Sequence, residues 1–155
     1  MGGSSGTPPA SSPIGRPGYA AAPMDDSGGD AAAVSAANDA FYRAFEGAEL
    51  AAMDRVWEHS DRVSCTHPGM PAVHGWDAVR LSWEAILGGG GVPQFIVTEE
   101  QVTVVGDAAW VVGVENMILP GGSGAGSVVN TFVRGDQGWL MVGHHGAPIS
   151  RPAIG

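Results

Sequence analysis

Three residues have the types and settings for proton chemistry: His67, Asn130 and His145. A neutral imidazole near pH 7 can abstract an acidic proton. His67 stands in Thr66-His67-Pro68-Gly69, where the following proline holds it extended. Asn130 interrupts the apolar run Val128-Val129-Asn130-Thr131-Phe132. If it faces a core it needs partners, and a ligand carbonyl or a developing oxyanion is one candidate. His144 and His145 are neighbours on a strand, so they point to opposite faces and cannot both bind one metal. Counting across the Gly135–Gly138 turn puts His145 on the face of Asn130 and Phe132. His145 is then the pocket candidate and His144 the subunit-interface candidate. Each of these residues also has a plain structural reading: a histidine bonded to a loop carbonyl, or a core asparagine satisfied by its neighbours.

Glu115 is a lone acid in Trp110-Val111-Val112-Gly113-Val114-Glu115-Asn116-Met117. Such an acid is either buried with a raised pKa or paired with an arginine. The same counting sets Glu115 opposite Asn130, where Arg134 or Arg80 would pair with it at an interface. Asn116 then joins the pocket face. Cys65 alternates with Thr66 and reads as a small buried hydrophobe, since no neighbouring cation or helix N-terminus would lower its pKa. The aromatic positions read as core and pocket wall, with Phe41, Tyr42, Trp57, Trp83, Phe132 and Met141 as the ligand-facing set. His67 and His74 lack a third ligand of suitable spacing, so no metal site is expected.

Composition narrows the function classes. The chain has 155 residues, a length for one domain. With 44% hydrophobic and 15% charged residues, a packed core is feasible. Sixteen acids face seven arginines with no lysine, for a net charge of −9. That balance argues against a nucleic-acid partner and against an anionic membrane surface. Without lysine there is no Schiff-base chemistry. A single cysteine excludes an intrachain disulfide and a cysteine-rich metal centre. No apolar run approaches the roughly 18 residues of a spanning helix. No nicotinamide, flavin or phosphate-loop fingerprint is present, so no cofactor is expected.

The elements that must position these residues follow from periodicity. Residues 1–29, rich in Gly, Pro, Ser and Ala, read as a disordered tail without a signal peptide, which points to the cytoplasm. The domain is expected over residues 30–150, with a short tail over 151–155. Val34, Ala37, Phe41, Ala44 and Phe45 mark a helix from Ala31 to Glu46, with Asp30 as its N-cap. Leu50, Met53, Val56 and Trp57 mark a second, from Glu49 to about His59. A small hairpin of Arg62–Thr66 and Met70–Val73 is followed by a third helix from Trp76 to Leu87. Four strands then run over Gln94–Val105, Ala108–Leu119, Ser127–Arg134 and Trp139–His145, with a loop at Pro120–Gly126. The plan is α+β: three N-terminal helices packed in a strongly curved antiparallel sheet.

This element order, with Thr66-His67-Pro68-Gly69-Met70-Pro71-Ala72-Val73-His74-Gly75 leading into a helix, resembles the nuclear-transport-factor-2-like superfamily. Within it the chain is most similar to the SnoaL-like or ketosteroid-isomerase-like branch. Gly138-Trp139-Leu140-Met141-Val142-Gly143-His144-His145-Gly146-Ala147-Pro148 is also similar to the last strand of the calcium/calmodulin-dependent kinase II association domain. The resemblance spans roughly residues 35–150. It implies a cone with an interior pocket, and a homodimer packed through the outer sheet face. The apolar residues on both faces of these strands agree with a covered second face.

Ketosteroid isomerase uses an Asp base, a Tyr and a protonated Asp. Against that pattern the Tyr position falls on Phe41, with Tyr42 one residue off. The base position falls on Thr66 or His67, and the second Asp on Asn130. The family's phenol and carboxylates are therefore replaced. What the resemblance leaves is a His67 base with Asn130 and His145 as donors. The fold hosts isomerases, cyclases, dehydratases and non-enzymatic modules. Two functions follow as expectations. One is a small-molecule-binding protein, with cofactor-free isomerase or cyclase chemistry on a hydrophobic carbonyl compound. The other is a non-catalytic ligand-binding or assembly module.

Overall fold

The computed structural model describes Gly2 and residues 27–150. The tails expected over residues 1–29 and 151–155 lie outside the described residues, apart from Gly2 and residues 27–29. The last three belong to the first helix.

Helix α1 runs Ser27–Glu46. It starts before Asp30, which serves in its first turn and binds the Arg134 guanidinium through both carboxylate oxygens, at 2.9 and 2.7 Å. Val34, Asn38, Phe41, Tyr42 and Phe45 form its buried side. Adjacent Phe41 and Tyr42 are both buried because they lie about 100° apart on a helix that is covered over a wide arc. Gly47 donates back to the Arg43 carbonyl at 3.0 Å and Ala48 takes φ 51, so the chain reverses at once. Helix α2, Leu50–Val56, is one turn shorter than its apolar spacing suggests. Trp57 leaves it extended, because its backbone bridges to Met141 in the last strand.

Strands β1 (Ser64–Thr66) and β2 (Val73–His74) form the small hairpin, and helix α3, Trp76–Gly88, follows. The long strands are β3 (Gln94–Val105), β4 (Ala108–Leu119), β5 (Gly122–Gly135) and β6 (Gly138–Pro148). The sheet order is β2-β1-β6-β5-β4-β3. The four long strands are antiparallel as expected. The sheet as a whole is mixed, because β1 runs parallel to β6. Among the described residues no helix is long and apolar enough to cross a membrane.

Two register shifts curve the sheet: one in β3 between Thr98 and Gln101, the other where β6 slips against β5 at Val142. Bulges of this kind bend a strand and raise its twist. The concave face closes over α1 and α3. Phe41, Phe45, Trp83, Phe132 and Met141 fill that space, with the Trp83 ring centroid 5.4 Å from Phe41 and 4.9 Å from Phe45.

Candidate functional site

The second register shift decides which histidine is inside. Phe132 pairs with Met141, but Thr131 pairs with Gly143 and Asn130 with His144. Val142 is the extra residue, and it moves every later side chain of β6 to the other face. His144, 2% exposed, therefore shares the interior with Asn130. His145 lies on the convex face, with its Nδ1 2.9 Å from the Thr66 hydroxyl and its Nε2 3.1 Å from the Ser64 hydroxyl. The two histidines thus take the faces opposite to those expected. Gly143 sits where the slip occurs, and a Cβ there would run into the Thr131 hydroxyl and approach the His145 ring.

Glu115 and Asn116 exchange faces too. β5 begins at Gly122 and pairs Leu119 with Gly122, so Pro120–Gly121 is a tight two-residue turn and not a long loop. The resulting register sets Asn130 opposite Val111. Glu115 is thus on the concave face, 2% exposed, and pairs with neither Arg134 nor Arg80. Asn116 turns outward and donates to the Ile96 carbonyl at 2.9 Å and the Thr98 hydroxyl at 3.1 Å.

Inside, the polar side chains form one chain of hydrogen bonds. The Tyr42 hydroxyl donates to Glu115 Oε1 at 2.7 Å. Asn130 Nδ2 donates to Asn38 Oδ1 at 2.8 Å and to the Tyr42 oxygen at 3.3 Å. His144 Nδ1 lies 2.6 Å from Asn130 Oδ1. With the Asn130 amide so oriented its oxygen can only accept, which assigns the His144 proton to Nδ1 and leaves the lone pair on Nε2. Both ends of the Asn130 amide are engaged. It positions His144 and is not a free donor for an oxyanion.

His67 follows β1 in the turn closed by Met70 N–H donating to its carbonyl at 2.9 Å. Its Nε2 lies 3.1 Å from Ser82 Oγ on α3. The Ser82 hydroxyl already donates its one proton to the Val79 carbonyl at 2.7 Å. Ser82 must therefore accept from His67, which places the proton on Nε2 and the lone pair on Nδ1. Pro68 reaches Gly146 of β6, where an added Cβ would come within 3.0 Å of the proline ring. That close approach holds the His67 turn against the sheet.

The two interior imidazoles have ring centroids 6.2 Å apart. Both flank Trp83, with centroids 4.7 Å from it for His67 and 5.8 Å for His144. Burial lowers the pKa of His67. Full burial, helped by the neighbouring His67 and His145, pushes His144 down to about 3. Both rings are neutral at pH 7. Burial raises the Glu115 pKa, and the Tyr42 hydrogen bond works against that rise. Burial and Glu115 raise the Tyr42 pKa. Burial, then the Glu115 charge, pushes the Cys65 thiol up to about 12, so it stays a thiol 3.6 Å from His67 Nε2.

Of the expected ligand-facing residues, Phe41, Tyr42, Trp57, Trp83, Phe132 and Met141 are buried on the core side. Phe41 and Trp83 touch the histidine pair. Asn38 is the polar member that sequence reasoning missed; Glu115 meets the buried, raised-pKa alternative, on the face opposite to the one expected. Three buried donors have no partner among the described residues: Asn38 Nδ2, Trp57 Nε1 and Trp83 Nε1. At the rim, Tyr42, Phe95, Val97 and Glu100 help line a cavity of about 290 Å³. Among the described residues, no three His, Cys, Asp or Glu side chains converge as a metal would need.

Comparison with known proteins bears on the same frame. The model of the SnoaL-like domain matches residues 34–150. A candidate dehydratase of the NTF2-like family from Streptomyces avermitilis is 31% identical, with a TM-score of 0.76 over 81% of this chain and 99% of that one. A candidate calcium/calmodulin-dependent protein kinase type II association domain from Thiobacillus denitrificans is also 31% identical, with a TM-score of 0.69 over 75% and 94%. The F-box protein SKIP8 of Arabidopsis thaliana is 28% identical over 113 residues, 73% of this chain and 48% of that protein. The chain thus spans about half the length of that curated relative. With the family model covering most of the chain and the cone reproduced in these structures, the chain belongs to the SnoaL-like domain family, within the nuclear-transport-factor-2-like fold.

Proposed function

We propose that the cone binds a small hydrophobic carbonyl compound, with the His67–His144 pair as the proton-handling centre. The observation that carries this reading is a pair of neutral imidazoles with fixed tautomers. Each keeps one basic nitrogen, Nδ1 of His67 and Nε2 of His144, without a hydrogen-bond partner among the described residues. His67 is half-buried and His144 fully buried, so a ligand meets His67 first. In this reading His67 Nδ1 takes a proton from carbon beside the carbonyl. Trp83, whose ring lies against His67 and whose N–H has no partner among the described residues, donates to the oxygen as charge develops on it. No cofactor is needed for that step. The likeness to a candidate dehydratase is compatible with it, since loss of water from a β-hydroxy carbonyl compound can start from the same proton abstraction.

The test is exchange of α-protons in heavy water, followed by NMR across a panel of hydrophobic ketones. A substrate should exchange with the parent protein and lose roughly a hundredfold or more in rate with His67→Ala. Exchange equal in the two proteins would remove His67 from the reaction.

A second reading, an assembly module, is favoured by the convex face. Its outward residues on β4 and β5 include Trp110, Val112, Val114, Val129, Thr131 and Val133, none of them charged. In a chain of net charge −9, an uncharged apolar face is where a second copy can approach without repulsion. The occupant proposed here is that second copy. Light scattering should give a dimer for the parent and a monomer for Trp110→Glu. A monomeric parent would end this reading.

A further inference from the structure

Away from the cone, α1 and α2 pack side by side near the start of β6 and leave a groove of about 350 Å³. Ala40 and Ala44 of α1, Ala52 of α2 and Trp139 of β6 line it. The Arg134 guanidinium lies over the Trp139 ring, 4.5 Å from its centroid, and is itself bound to Asp30 and Asp107. That wall is therefore held in place.

Arg43 and Arg55 line the same groove. The other described arginines are all in ion pairs: Arg62 with Glu58, Arg80 with Asp54 and Glu84, and Arg134 with two aspartates. Arg43 and Arg55 form none among the described residues. Acids outnumber arginines 16 to 7 in this chain, so partners are not scarce. Glu49 lines the groove as well, yet forms no ion pair with either arginine. Arg43 also borders the cavity lined by Asp39, Glu46 and Glu100, yet forms no ion pair with any of them. Two arginines on one hollow, without ion pairs in an acid-rich protein, suit an anion that comes from outside. The net charge of −9 opposes an anion at long range, but salt screens that field within about 10 Å, while contact with two guanidiniums is local. The charge of Glu49 in the same groove disfavours a dianion and leaves a monoanion as the better fit.

We propose that this groove is a binding site for a small monocarboxylate with an apolar body. Its carboxylate is held between Arg43 and Arg55, and its body lies on the alanines and Trp139. The site is separate from the histidine pair and does not depend on any reaction there.

The experiment is titration calorimetry on the full chain with phenylacetate, and with phenylacetamide as the uncharged isostere. Phenylacetate should bind, and phenylacetamide should bind about tenfold more weakly or worse. Arg43→Gln and Arg55→Gln should each weaken phenylacetate by about tenfold. Ala40→Leu, which fills the hollow and keeps both arginines, should abolish binding. His67→Ala and Arg62→Gln should leave it unchanged. Three results would each overturn the proposal: no phenylacetate binding up to roughly 10 mM, equal affinity for acid and amide, or Arg43 and Arg55 variants that bind like the parent. Binding lost in His67→Ala but kept in the arginine variants would move the ligand into the cone and overturn it too.

Discussion

His144 should make this fold labile to acid. Its imidazole is fully buried, donates from Nδ1 to Asn130, and is held down to about 3 from an ordinary 6.5. The folded state therefore binds this proton far less readily than the unfolded chain. A group depressed in this way contributes stability that is present above the unfolded pKa and is lost as pH falls toward the folded one. The window lies between 6.5 and about 3. Each unit of difference is worth about 1.4 kcal/mol, so about 3 kcal/mol should be gone near pH 4.5 and about 5 kcal/mol by the bottom of the window. Against a total stability of roughly 5–15 kcal/mol, that is enough to bring the domain close to unfolding. The assay is urea unfolding at about pH 7, 5.5 and 4.5, with His144→Asn for comparison. The Asn amide keeps a donor toward Asn130 and cannot titrate. The variant should be weaker at neutral pH, because it loses ring contacts with Phe41 and Trp83, and flatter in its pH dependence. His67 and His145 shift in the same direction in both proteins and cancel in the comparison. Parallel pH profiles for parent and variant would refute the reasoning, because they would mean that His144 titrates alike in the folded and unfolded states.

Other expectations follow from the same interior. Tyr42→Phe leaves the Glu115 carboxyl without its donor and should cost about 1.5–3 kcal/mol, measured by urea unfolding. It also removes the one contact that lowers the Glu115 pKa. A raised carboxyl pKa gives stability that is lost as pH rises through it, so the penalty should be larger at pH 8 than at pH 5. Gly146→Ala forces the Pro68 turn outward and should cost about 1–3 kcal/mol while shifting the His67 titration seen by NMR. Cys65, fully buried with its thiol pushed up to about 12, should resist a disulfide reagent at pH 8 until the chain unfolds.

Much of the fold was readable because it rests on long periodic segments. The apolar spacing of α1 and α3 and the four long strands survive small errors at their ends. The site was less readable because it depends on parity. One extra residue, Val142, decides whether His144 or His145 faces the core, and a bulge has no composition signature beyond a glycine such as Gly143. The β4–β5 connection failed for a related reason. Gly122–Gly126 looks like loop by composition, yet it pairs along the end of β4, and the two-residue turn then fixes which of Glu115 and Asn116 is buried. The burial of Asn130 is legible because a polar residue in an apolar run is a strong signal. Its role differed because its partners, Asn38 and Tyr42, come from a helix 92 and 88 residues away in sequence.

By position, the phenol and the carboxylates of ketosteroid isomerase are replaced in this sequence. The interior nevertheless holds a phenol and a carboxylate in direct contact: Tyr42, one residue from the expected position on α1, and Glu115, from a different strand, β4. Their use is different. The donors run from His144 through Asn130 to Tyr42 and end on Glu115, so the carboxylate anchors a chain whose free end is a histidine lone pair. Such a chain fixes the tautomer and orientation of His144 much as an acidic partner fixes a catalytic imidazole. Burial, however, holds the His144 pKa far below neutrality, so it is a poor proton acceptor unless a ligand brings charge beside it. His67 is less buried and is held on the opposite side by Ser82. Any proton chemistry in the cone should therefore start at His67, with His144 answering to the ligand's developing charge. The two substitutions should separate: His67→Ala should lower the exchange rate, whereas His144→Asn should mainly weaken ligand binding.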